Sequence, residues 1–437
     1  MTHCTSEKLQ FTRVFNRDLI GDLKGGTITS DAGGLLLREA DRDLGLTKAL
    51  SAGIHDRRDA RKTVHSILSM IRQRIYGIAL GYEDRNDHDT LRTDDLLRIL
   101  AERDDDLASS PTLCRFENNI TKESLWAMSR ELVEVFIRSF DEPPEEIVLD
   151  VDATDDRVHG SQEGRFFHGY YDHYCFLPLY VFCGTQLLVA YLRPSNIDGA
   201  KHTRPIMRLL ANRLREAWPD TRITIRGDSG FARWKLMRWS DGEGIDYVFG
   251  LARNSRLLEK AGKLMARAEK RFHKTGEKQR LFGSFRYAAE TWDCTRRVIV
   301  KAEHGPKGPN PRFVVTSLDG DPEAIYDWIY CARGDMENRI KEQQLDLFSD
   351  RTSAHHFLAN QFRLLLASAA YVLLDHIRTK GLEGTELASA QCCTIRLKLL
   401  KIGARIVRSA RRIVVHISSA YPFYRLFNIA IARLCPT

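Results

Sequence analysis

Between Ile147 and Gly230 the sequence spells a strand, a hairpin of two more strands, an amphipathic helix and a fourth strand, and few folds accept that order. Ile147-Val148-Leu149-Asp150-Val151-Asp152 is a short apolar run that closes in acids. Phe176 to Cys183 and Leu187 to Leu192 follow, joined at Gly184-Thr185, the composition of a tight turn. Arg204 to Trp218 carries Ile206, Leu209, Leu210, Leu214 and Ala217 on one side. Thr221 to Ile225 is a strand that Gly227-Asp228-Ser229-Gly230 ends. A right-handed crossover through the helix lays the first and fourth strands side by side in parallel. Asp152 and Asp228 then leave the sheet at its carboxyl edge, where open α/β sheets bind ligands.

That order is the first half of a ribonuclease-H-like sheet. The fold expected for the chain is α/β: a ribonuclease-H-like core with a β-rich insertion, flanked by helical N- and C-terminal regions. Residues 1–142 read as helical, with Val64, Ile67, Leu68, Ile71, Ile75 and Ile78 on one face of a helix after Thr63 and a second helix from Lys122 to about Phe140. Such a domain either binds DNA or simply packs. Pro143-Pro144 breaks the pattern, and residues 143–250 hold the first part of the core. Residues 251–320 read as a β-rich insertion, 321–380 as the remainder of the core and 381–437 as a basic helical region.

Composition narrows the class. An apolar fraction of 43% with 28% charged residues excludes wholesale disorder. The run Phe176 to Leu192 is broken by Pro178 and Gly184-Thr185-Gln186, so a membrane span is not expected there. The start Met-Thr-His-Cys-Thr-Ser-Glu-Lys lacks a secretory pattern, which places the chain in the cytoplasm. Nine scattered cysteines without a C-x2-C pair agree with that compartment. The acidic runs Asp84 to Asp95 and Asp104 to Asp106 read as solvated surface.

A third acid comes from further along. Asp321-Pro322 opens a helix with the seam Ile325, Ile329, Ala332, Met336 and Ile340. Beside that seam Tyr330, Arg333, Glu337 and Lys341 share one face. Packed on the sheet, the helix brings Glu337 over the edge where Asp152 and Asp228 emerge. Three carboxylates can hold Mg²⁺, and a pair of such ions about 3.5–4 Å apart holds the attacking and leaving oxygens of an in-line phosphoryl displacement. The flanking cations would bind phosphate.

The blocks Asp152-Ala153-Thr154, Gly227-Asp228-Ser229-Gly230-Phe231 and Tyr330-Cys331-Ala332-Arg333-Gly334-Asp335-Met336-Glu337-Asn338 resemble the three catalytic blocks of the DDE transposases of bacterial insertion sequences. The Tyr, Arg, Glu spacing is similar to that of the IS-four-like superfamily. Leu149 to Asp172, with Val158-His159-Gly160 and Phe167-His168-Gly169-Tyr170-Tyr171-Asp172, most resembles the IS-thirteen-eighty family. The resemblance implies metal-dependent endonuclease cleavage at element ends, then strand transfer. It implies Asp152, Asp228 and Glu337 as catalytic and metal-binding residues, with Tyr330, Arg333 and Lys341 on DNA phosphates. It further implies two Mg²⁺, with Mn²⁺ as substitute, double-stranded DNA of the terminal inverted repeats and the target as partner, and a homodimer on that DNA.

Two positions depart or stay open. Seven residues after Glu337, where the superfamily has Lys, stands Gln344, and the nearest base is Lys341. Asp150 lies on the same strand face as Asp152 and remains the alternative first acid. Three rivals stand beside the transposase: a nuclease that cuts without joining, a decayed DNA-binding protein, and the protease-like Gly-Asp-Ser-Gly motif, which fails because Phe231 and an α/β context surround it. His159, His168, His173 and Asp172 are read as structural hydrogen-bonding groups, with metal or phosphate binding as the alternative, and Trp292 as cross-strand packing, with stacking on a DNA base as the alternative.

The charge is uneven. The chain carries 66 Lys and Arg against 58 Asp and Glu, a net +8. After Glu386 there is no acid but nine bases: Arg396, Lys398, Lys401, Arg405, Arg408, Arg411, Arg412, Arg425 and Arg433. That segment either tracks phosphates, with steep salt dependence, or packs through Ile402, Ile406, Ile413 and Val414 with its cations merely solvated.

Overall fold

Residues 8–435 are described by a computed structural model; Cys4 lies outside them. They divide into two units, one of residues 52–55 and 117–372, the other of 8–51, 56–116 and 373–435.

The first unit is built on one mixed sheet. Its strands are β1 (Glu146–Ala153), β2 (Leu179–Cys183), β3 (Gln186–Tyr191), β4 (Arg222–Gly227), β5 (Asp246–Leu251), β6 (Gln279–Tyr287), β7 (Arg296–Gly305) and β8 (Arg312–Thr316). They run in the order β6-β7-β8-β5-β4-β1-β2-β3, and the short Gly308–Pro309 segment pairs with β7. β4 pairs in parallel with both β1 and β5, while β2 is antiparallel to β1 and β3 to β2. Parallel neighbours need a crossover, supplied here by α1 (Thr203–Ala217) between β3 and β4 and by α2 (Trp234–Glu243) between β4 and β5.

Alternation divides β1 between two layers. Ile147, Leu149 and Val151 face a core made with Met207, Leu210 and Leu214 of α1, Leu236 and Met237 of α2, and Val133 and Phe136 of the Lys122–Arg138 helix. That helix therefore shares the core of the sheet, although it precedes the boundary expected at residue 142. On the opposite face Val248, Ile299 and Val314 pack with Ile325 and Tyr326, the start of a helical run over residues 322–346. This run is not uniform, because π-helical turns occupy Ile325–Tyr330 and Glu342–Asp346.

The stretch expected as a β-rich insertion is different. It holds α3 (Ser255–Thr275), capped by the Asn254 side chain and ended at Gly276 with φ +73°, and its strands β6, β7 and β8 continue the same sheet. The apolar stripe Leu257, Ala261 and Ala268 is narrow and small amid Lys and Arg, which hid the 3.6-residue period. Trp292 packs edge-on against Tyr287 at 5.5 Å, the structural role expected for it. Residues 357–381 are long and apolar enough for a membrane span by composition, yet 78% of an apolar 18-residue stretch within them is buried, as in a core helix.

In the second unit the helix expected after Thr63 spans Ile67–Leu80 behind an Ser66 cap. Arg72 and Arg74, off the apolar face of this helix, are buried as well; Arg72 pairs with Glu102 at 2.6 Å and Arg74 contacts His88 at 3.1 Å. The acidic run is used in caps and ion pairs, Asp94 capping Leu97 and Asp106 meeting Arg92 and Arg98. The basic C-terminal segment is not wholly helical. Ala404–Arg408 and Ile413–Ile417 form a hairpin that also pairs Ile28–Thr29, before the helix Tyr424–Leu434. Ile402 and Ile406 are buried, Lys401 pairs with Asp31 at 2.6 Å and Arg396 bonds the Ala79 carbonyl at 2.8 Å. Packing thus accounts for part of this segment, while Arg405, Arg411 and Arg412 stay exposed.

Candidate active site

The register of β1 with β4 sets the site. Arg226 lies opposite Asp150 and Gly227 opposite Val151, so the next residues bring Asp228 beside Asp152. Asp152 Oδ1 accepts from the Ala153 N–H at 2.9 Å, and Asp228 Oδ1 accepts from the Gly230 N–H at 2.8 Å. Asp228 therefore does cap a turn, through one of its two oxygens.

Arg333 joins the third acid to the first. It is half-buried, with Nη2 2.5 Å from Glu337 Oε1 and Nη1 3.7 Å from Asp152 Oδ2. Burial disfavours its charge, but Asp152 and Glu337 outweigh that and hold its pKa above the ordinary value. Asp152 moves the other way. Burial pushes its pKa up to about 7; Arg333 pulls it down, and Asp228 and Glu337 repel the second negative charge. The three carboxylates and Arg333 thus form one electrostatic cluster.

The Asp152 shift has a consequence in chelator. In the metal-free protein this carboxyl stays protonated to about pH 7, whereas an unfolded one ionises near 4. Its stabilising contribution is complete below about pH 4, is lost as pH rises towards 7, and is then constant. Thermal unfolding in EDTA from pH 4.5 to 7.5 checks this: Asp152→Asn should flatten the fall, and an unchanged slope would contradict the shift.

Asp150 is differently employed. It is 1% exposed and meets the Arg226 guanidinium through both oxygens, one at 2.6 Å, while Arg226 Nη1 also donates to the Ile329 carbonyl. Burial leaves Asp150 with a raised pKa despite the pull of Arg226. This pair braces the helix against the strands and leaves Asp152 as the acid at the edge.

Tyr330 is partly buried, and burial, with Asp228 nearby, raises its hydroxyl pKa. Its position depends on Gly250 of β5. A Cβ there would lie 2.6 Å from the Tyr330 hydroxyl and 3.0 Å from the Ser229 nitrogen. Gly250→Ala should cost about 1–3 kcal/mol by overpacking. Adding Tyr330→Phe should recover part of that loss in denaturant unfolding, whereas strictly additive effects would contradict the contact.

Lys341 is exposed one turn beyond Glu337 and makes no ion pair among the described residues. Gln344 has another task. Its Nε2 donates to the Asp155 carbonyl at 3.1 Å and to Asp156 Oδ1 at 3.0 Å, tying the loop after β1 to the helix. Asp156 is fully buried, and burial raises its pKa far above the carboxylate range. His173, the first residue of the strand His173–Phe176, places Nε2 2.7 Å from Asp155 Oδ2, a structural bond. Arg226, Gly250 and Asp156 were missed from sequence; only Arg226 had a signal, since Arg-x-Asp at the end of β4 repeats the spacing of Asp-x-Asp on β1.

Clustered carboxylates beside an arginine at the end of parallel strands are suited to a phosphodiester-processing, nucleotidyl-transfer protein. A family model described as transposase DDE domain group 1 matches residues 11–437, and the chain belongs to the DDE transposases. Among solved structures, the cryo-EM structure of a piggyBac transposase synaptic complex with hairpin DNA aligns with 85% of this chain and 79% of that one, at 12% identity and a TM-score of 0.43. No curated protein matches.

Proposed function

We propose that this DDE transposase moves a bacterial insertion sequence of the IS-four-like superfamily, closest in its blocks to the IS-thirteen-eighty family. It would cleave DNA at the element ends and join the freed 3′-hydroxyl to target DNA. The observation that carries the reading is the cluster of Asp152, Asp228 and Glu337 around Arg333. The order β3-β2-β1-β4-β5, in which β2 alone runs against the rest, supports treating this part as a ribonuclease-H-like core.

The donor set fits a hard dication, since it is all carboxylate oxygen and its members repel one another. Asp152, Asp228 and Glu337 would hold Mg²⁺, or Mn²⁺ in its place, and a second such ion. Bound there, the metal would supply Lewis-acid polarisation of a phosphodiester. Arg333 would engage phosphate oxygens with its planar fork. Tyr330 would donate its hydroxyl to the same backbone, and Lys341 would meet a phosphate further out. Arg405, Arg411 and Arg412 offer cations whose contribution to DNA affinity falls with salt. Two element ends require two such sites, which makes a homodimer on DNA the working assembly.

A linear DNA ending in the inverted repeats that flank the gene tests this, with Mg²⁺ and a plasmid target. The expected result is end cleavage followed by joined product. Cleavage without joining would favour a nuclease, and binding alone a decayed protein.

A further inference from the structure

Chemistry-bearing side chains also gather far from the acid cluster in sequence, at the C-terminal end of α3. Glu269 and His273 are four residues apart and share a helix face. His304 is the next-to-last residue of β7. Along β7, Val298, Val300, Ala302 and His304 alternate onto one face, and Val298 and Val300 share a core there with Leu257 and Ala261 of α3. Glu303 turns the other way and is engaged by Lys278 at 2.9 Å, Lys301 at 3.1 Å and Asn310 at 2.8 Å. It is therefore no competitor for what His304 meets.

One ligand atom each from Glu269, His273 and His304 lies within 4.8 Å of the others. His304 is buried, with its ring centroid 5.2 Å from Phe272 and 6.0 Å from His273, and its ring makes no hydrogen bond among the described residues. Glu269 and His273 are exposed; His273 Nε2 lies 4.0 Å from Glu269 Oε1, and the His273 ring meets Phe272 at 5.7 Å.

We infer that Glu269, His273 and His304 form a binding site for a divalent transition metal of the zinc class, which staples the end of α3 to β7. Two imidazoles and a carboxylate are the donors such an ion takes, whereas Mg²⁺ prefers oxygen alone. Tetrahedral ligands at zinc distances stand roughly 3.4 Å apart. A spread of at most 4.8 Å closes by up to about 1.4 Å through rotation of the two exposed side chains onto a fixed His304. His273 lies in the last turn of α3, where the unpaired carbonyls favour a cation. The fourth position is left to water. The staple would fix a helix whose exposed face carries Lys263, Arg267, Lys270 and Arg271.

The test is Zn²⁺ uptake by the full-length chain against a chromophoric chelator, in an Asp152→Ala/Asp228→Ala background so that the acid cluster contributes nothing. One Zn²⁺ per chain is expected. His273→Ala and His304→Ala should each weaken binding about tenfold or more, and Co²⁺ should give visible absorption bands that His273→Ala removes. His273 is exposed, so its variant reads the site even if replacing His304 disturbs folding. Uptake unchanged by His273→Ala and Glu269→Gln, or no uptake at submillimolar Zn²⁺, would overturn the assignment. Because metal alone is the probe, failure here leaves the DNA chemistry untouched.

Discussion

Asp228→Asn should fold like the parent and lose end cleavage and joining by about a thousandfold or more. Asparagine keeps the oxygen that accepts from the Gly230 N–H, so the turn after β4 survives while the charge is removed. Asp228→Ala would lose the same activity and also the turn's acceptor, at a cost of about 1 kcal/mol. Binding to element-end DNA should persist in both, because the cations proposed to meet phosphate are unchanged. Cleavage gels beside thermal unfolding curves make the comparison. Activity within tenfold of the parent in a folded Asp228→Asn protein would remove Asp228 from the chemistry.

The largest effect on stability is expected at Arg226. Arg226→Met strands Asp150 in a site 1% exposed, and breaking a buried pair from one side costs about 3–5 kcal/mol. Because burial already raises the Asp150 pKa, the unpaired acid can take up a proton, so the cost should grow with pH. Adding Asp150→Leu should restore much of the loss by removing the isolated charge. Arg226 also holds the Ile329 carbonyl, one residue before Tyr330. The single variant should therefore lose cleavage along with stability. Urea unfolding of both single variants and the double variant decides the matter, and additive losses would mean the two groups do not act as a pair.

The parts of the fold that were legible in the sequence are those with a strong period or a forced connection. The β1 run, the hairpin and α1 each carry their own pattern, and parallel pairing of β1 with β4 follows from the helix between them. The α2 crossover, which the parallel pairing of β5 with β4 requires, was not read from sequence, because its stripe of Leu236 and Met237 is too short to announce it. α3 was hidden because alanines stand where larger residues would mark its buried side. At the candidate site, Asp152, Asp228, Glu337 and Arg333 could be placed near one another because strand ends and a helix face suffice to do so. The Gly250 contact could not, since it depends on how closely Tyr330 approaches β5. Nor could the bond from Gln344 to Asp156, which joins a π-helical turn to a two-residue strand too short to show a period.

Anomalous diffraction from crystals soaked in Mn²⁺ addresses the acid cluster most directly. The expected result is an anomalous peak within coordination distance of Asp152, Asp228 and Glu337, lost in Asp228→Asn crystals. Mn²⁺ absent from these three carboxylates, or retained there after the Asp228 change, would contradict their role as the metal-holding centre of this transposase.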